Sequence, residues 1–92
     1  MIYVKVKWLH EVEDTPILLY SELDHNRYEV RKVEAYSDGR LDYADQESNS
    51  GHTKLGIEPI PSIDDIAKDP QFIPENITKK DFDEVWTLAR AR

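Results

Sequence analysis

A chain of 92 residues with 12 basic and 19 acidic side chains, a net charge of −7 and no cysteine fits one domain and leaves no room for a second core. The lack of cysteine excludes disulfide staples, thiolate metal sites and cysteine nucleophiles. The charge balance disfavours nucleic acid, whose phosphates are bound by lysine and arginine, and so small a core leaves little space for a deep-pocket active site.

Residues 2–8 alternate Ile2, Val4, Val6 and Trp8 with Tyr3, Lys5 and Lys7, a period of two that turns one face of a strand to a core and the other to solvent. This alternation is unlike the continuous apolar stretch of a signal peptide. No run approaches the roughly 20 apolar residues of a membrane span, so a cytoplasmic location is expected. The polar stretch 11–16 ends the pattern, residues 17–23 resume it, and Asp24, His25 and Asn26 supply the turn into a third strand over 28–36. There the apolar positions Tyr28 and Val30, then Val33 and Ala35, change parity between Arg31 and Lys32, which predicts a β-bulge. Asp38 and Gly39 suit the positive φ angles of a type I′ hairpin, with Tyr36 opposite Leu41 and a fourth strand over 41–44.

Residues 45–53 lack an apolar anchor and read as a loop, and residues 54–57 are expected to add a short edge strand that Pro59 and Pro61 end. Ser62, followed by Ile63, Asp64 and Asp65, has the form of a helix cap with acids in the first turn, and Pro70 stops that helix after about two turns. The last helix is better specified. Thr78 caps it, Asp81 stands at the third helical position, and Ile77 with Phe82 has the spacing of a hydrophobic staple. Phe82, Val85, Trp86 and Ala89 share one face, while Arg90 and Arg92 stand near the negative end of the helix dipole. The expected fold class is α+β: an antiparallel sheet of four or five strands, with the C-terminal helix packed on one face and a short helix before it. Trp8 and Trp86 are expected to meet in that core.

The charge is unevenly spread. Residues 1–36 carry 5 basic and 7 acidic groups, residues 37–77 carry 3 and 9, and residues 78–92 carry 4 and 3. The central segment thus holds 3 minus 9, or −6. Such a surface attracts basic partners and speeds their encounter, although the same charge also serves solubility. His10, His25 and His52 are the candidates for acid–base chemistry of the kind a small hydrolase or ribonuclease uses, but no short spacing fixes them in one site. Asp42, Asp45 and Glu47 lack the alternating ligands and closing Glu of a calcium loop, so neither metal nor cofactor is expected. Surface recognition remains. The candidate contact residues are Asp38, Asp42, Asp45, Glu47, Glu58, Asp64 and Asp65, with Tyr20, Tyr36 and Tyr43 as aromatic anchors; the tyrosines equally suit the edge of the core. The expected partner is a protein rather than nucleic acid or membrane, and the chain is not expected to be an enzyme.

The run Val4-Lys5-Val6-Lys7-Trp8-Leu9-His10, the segments 16–24 and 27–34, and the later Gly39, Tyr43-Ala44, Leu55-Gly56, Pro59-Ile60-Pro61 and Phe82 to Trp86 resemble an uncharacterised family of small acidic bacterial proteins. The resemblance spans nearly the whole chain and brings no catalytic residues with it. It implies an immunity protein of a contact-dependent or polymorphic toxin system, most naturally one that covers the basic active-site surface of a nuclease. A regulatory or phage-associated adaptor is the alternative binding role.

Overall fold

The computed structural model describes residues 1–91, and among these five strands form one antiparallel sheet in the order β4-β3-β2-β1-β5. β1 (Ile2–Trp8), β2 (Leu18–Leu23), β3 (Glu29–Ala35) and β4 (Leu41–Ala44) run as a meander. The short α1 (Ile63–Ile66) then leads into β5 (Phe72–Asn76), which pairs with the free edge of β1, and α2 (Lys79–Arg90) ends the described chain. The registers Val4↔Ser21, Ser21↔Lys32 and Lys32↔Ala44 define one face of the sheet; Lys5↔Tyr20, Tyr20↔Val33 and Val33↔Tyr43 define the other.

Both faces are covered. On the first, Val4, Val6 and Leu23 are buried against Ile60, Ile63, Ile66 and Phe72, so this is the α1 face. On the second, α2 lies across β2, β3 and β4 with Phe82 and Ala89 buried. Val4, Leu23, Val33 and Phe82 are almost inaccessible to solvent, and burial of each contributes about 1.5–3 kcal/mol. Trp8 and Trp86 therefore do not meet. Trp8 lies against Phe72 at 5.8 Å on the α1 face, whereas Trp86 sits on α2, edge-on to Tyr43 at 5.5 Å.

The bulge in β3 falls earlier than the parity of its residues suggests. Glu22 pairs with Arg31 while Leu23 pairs with Glu29, which leaves Val30 as the extra residue. The β3–β4 turn also differs from the type I′ expectation. Tyr36 N–H donates to Arg40 O at 2.9 Å, so Ser37, Asp38 and Gly39 form a three-residue loop, and of these Gly39 alone has a positive φ, at 90°. That is the geometry of a type I turn closed by a left-handed glycine, and Leu41 falls opposite Ala35 rather than Tyr36.

Residues 54–57 form no strand, and Ile57 is 89% exposed. The fifth strand is β5, despite Pro74. Ile77 N–H donates to Tyr3 O and Leu9 N–H to Gln71 O, so the odd-numbered residues of this segment bond to β1. Pro74 then lies on the outer edge, where a missing N–H costs no ladder bond. α1 is one turn rather than two; Ser62 Oγ caps it by accepting from Asp65 N–H at 3.2 Å, and the chain leaves the helix at Ala67. At α2 the reciprocal cap forms as its residues dictate: Asp81 N–H donates to Thr78 Oγ1 at 3.1 Å and Thr78 N–H to Asp81 Oδ2 at 3.2 Å. Arg90 occupies the last turn, and Arg92 lies outside the described residues.

Candidate functional site

The acidic residues singled out in the sequence mostly gather on the α1 side, and the tyrosines do not follow them. Asp42 and Tyr36 lie on the α1 face beside Glu34, while Glu58, Asp64 and Asp65 sit on the segment covering that face. Tyr20 and Tyr43 lie on the opposite face, and Asp38, Asp45 and Glu47 lie in the turn before β4 and the loop after it. Several of these groups are occupied within the chain. Asp42 accepts from Ser50 Oγ at 2.9 Å. Asp45 accepts the N–H groups of Glu47 at 2.9 Å and Ser48 at 2.8 Å, which hold its carboxyl below the usual range, and pairs with Arg90 at 3.5 Å. Asp65 pairs with Lys68 at 3.0 Å.

The tyrosines are likewise engaged: Tyr36 under Arg40 at 4.0 Å, Tyr20 under Lys5 at 5.7 Å, and Tyr43 between Trp86 and Arg90. They border the core instead of forming one exposed patch. Asp38, Glu47, Glu58 and Asp64 are exposed and make no ion pair among the described residues.

Two acids not singled out in the sequence, Glu29 and Glu34, help to line a cleft of about 510 Å³ between the α1 face and residues 54–70. Val4, Val6, Leu19, Ile60, Ile66 and Phe72 supply an apolar lining. Ser21, Glu29, Lys32, Glu34 and Gly56 add polar groups to it, and Asp65 and Asp69 also line it. Glu29 is buried and held on three sides: Ser21 Oγ donates to Oε2 at 3.0 Å, Gly56 N–H to Oε1 at 2.6 Å, and Lys32 Nζ stands 3.5 Å away. A Cβ at position 56 would come within 3.0 Å of Glu29 Oε1, so the close approach of loop to strand explains a glycine there. Glu34 is half-buried and accepts one hydrogen bond, from Thr53 Oγ1 at 2.5 Å.

The covering segment is fastened by Arg27, whose Nε donates to Ile60 O at 2.7 Å and Nη2 to Pro61 O at 2.7 Å. Alternation alone reads Lys32 and Glu34 as solvent-facing. Their place is set by the register of the folded sheet, in which both share a face with Ser21 and Val4.

The histidines do not converge. His10 accepts from Val12 N–H through Nδ1 at 3.0 Å and contacts Pro16 O through Nε2 at 2.7 Å, beside the start of β2. His25 is exposed in the turn beyond the other end of β2, so that strand, about 20 Å long at roughly 3.3 Å per residue, separates the two. His52 is exposed in the loop after β4. Among the described residues no group of three or more His, Asp or Glu side chains is placed to hold a metal ion, and no helix is long and apolar enough to cross a membrane.

The family model described as the domain of unknown function DUF6881 matches residues 2–91, and the chain belongs to that family. No curated protein and no solved structure matches it.

Proposed function

We propose that this DUF6881 protein is a cytoplasmic immunity protein that binds a bacterial toxin, most naturally a nuclease of a contact-dependent or polymorphic system, and covers its basic active-site surface. The observation that carries the reading is the set of exposed carboxylates that make no ion pair among the described residues, the candidate contacts Asp38, Glu47, Glu58 and Asp64 together with Asp69, in a central segment whose charge is 3 minus 9, or −6. A nuclease cleft is built to bind phosphates, and carboxylates offered at its mouth meet the same cations. Charge of this kind accelerates encounter, and the complex loosens as salt screens it. The absence of cysteine suits a reducing compartment.

Co-expression with the toxic product of the neighbouring gene tests this directly. Cells carrying both genes are expected to grow, and the two proteins to co-purify as a stoichiometric complex that dissociates as sodium chloride is raised. Continued killing in the presence of soluble protein refutes the proposal.

A further inference from the structure

We infer that the cleft beneath residues 54–70 receives one lysine or arginine side chain from a protein partner, its stem on the apolar wall and its cation at Glu34. This deepens the reading above and rests on its basic partner. At about 510 Å³ the cleft falls in the range of ligand sites, roughly 300–1,000 Å³. Its wall of Val6, Leu19, Ile60, Ile66 and Phe72 suits the methylene stem of a long basic side chain, which buries its carbons and keeps its charged head among polar groups.

Complementarity selects the head group. Among the described residues four carboxylates line the cleft, Glu29, Glu34, Asp65 and Asp69, against the single cation Lys32. Glu29 is already committed to Ser21, Gly56 and Lys32. Glu34 is not: half-buried, it makes no ion pair among the described residues. Away from bulk water, where the local dielectric is lower, a carboxylate without a counter-charge attracts an incoming cation more strongly than one on the open surface. The bonds from Arg27 to Ile60 and Pro61 fasten the covering segment in advance, so little ordering cost falls on binding. Asp69, exposed at the same cleft and without an ion pair among the described residues, remains available to a further cation on the partner's surface, which favours a side chain presented by a protein over a free amine.

The experiment is an amide-resolved NMR titration of the full chain with three probes: acetyl-Leu-Arg-Leu-amide, acetyl-Leu-Gln-Leu-amide and putrescine. The arginine peptide is expected to shift the amides of Gly56, Ile60 and Ile66, and to bind at least about fivefold more tightly than the glutamine peptide. Glu34→Gln, near-isosteric and able to keep the Thr53 hydrogen bond, should abolish that preference. Equal binding of the two peptides, shifts centred elsewhere, or putrescine matching the arginine peptide overturns the inference. If Glu34→Gln folds poorly, the peptide comparison on the unaltered chain still decides. Rescue from toxin undiminished in a folded Glu34→Gln protein refutes this inference alone; cleft binding without any rescue refutes the toxin reading alone.

Discussion

At the scale of single residues, Arg31 is where the two layers of the α2 side are joined. Its Nε and Nη2 donate to the two oxygens of Glu22 at 2.7 and 2.9 Å, and Nη2 also donates to Asp83 of α2 at 3.0 Å. The guanidinium lies over the rings of Phe82 at 4.8 Å and Trp86 at 5.1 Å. Only the planar fork of arginine satisfies both a bidentate carboxylate and a stacked ring, so lysine is a poor substitute. The Arg31 hydrogen bonds, aided by one from Tyr3, hold the Glu22 carboxyl below its ordinary value of 4.5. A carboxyl depressed by folding adds stability that is present above its unfolded pKa and is lost as pH falls through the folded one. Glu22→Gln is therefore expected to cost about 2 kcal/mol at pH 7 in urea unfolding. Its deficit relative to the unaltered protein should shrink as the pH drops below 4.5. A deficit constant across that range would show that Glu22 contributes shape rather than charge.

At the scale of elements, legibility followed how local the determining physics is. The cap of α2 is written within four residues, Thr78 to Asp81, and forms as read. Thr78→Ala should cost about 1 kcal/mol and lower Tm by roughly 4–8 °C, while Thr78→Ser should keep most of both; an unchanged Tm for the alanine variant would mean tertiary packing alone holds the helix. β1 was equally plain, because alternation depends on the strand itself. β5 was hidden, since Pro74 argues against a strand until its place on the outer edge is known, and edge position is a property of the whole sheet. Residues 54–57 misled for the converse reason: local β propensity finds no neighbour to pair with, and Ile57 stays in solvent. The meeting of Trp8 with Trp86 failed on a count of layers. Alternation assigns the face bearing Tyr3 and Lys5 to solvent, yet Tyr3 packs on Phe82 at 5.7 Å and Arg31 pairs with Glu22 on that same face.

For the whole molecule, charge was legible as a total and not as a disposition. Some carboxylates pair with residues remote in sequence, Asp45 with Arg90 and Asp14 with Arg40, and others with near neighbours, Asp42 with Arg40 and Asp65 with Lys68, so composition could not separate engaged acids from free ones. The structure divides them: Asp42, Asp45 and Asp65 have basic partners, whereas Asp38, Glu47, Glu58 and Asp64 make no ion pair among the described residues. Neutralising these four as Asp38→Asn, Glu47→Gln, Glu58→Gln and Asp64→Asn takes the net charge from −7 to −3, since −7 plus 4 is −3. Relief of self-repulsion should raise Tm by about 4 °C at low salt, and sodium chloride should narrow the gap by screening the unaltered protein. If the acids serve recognition, the more stable protein should also be the worse binder. Its association with a basic partner is expected to slow about tenfold at low salt and its dissociation to quicken, because these charges both steer encounter and meet the partner's cations in the complex. Stopped-flow binding and thermal melts on the same samples separate the cases. A gain in Tm with unchanged association assigns the charge to solubility, whereas a loss of Tm shows that these side chains support the fold.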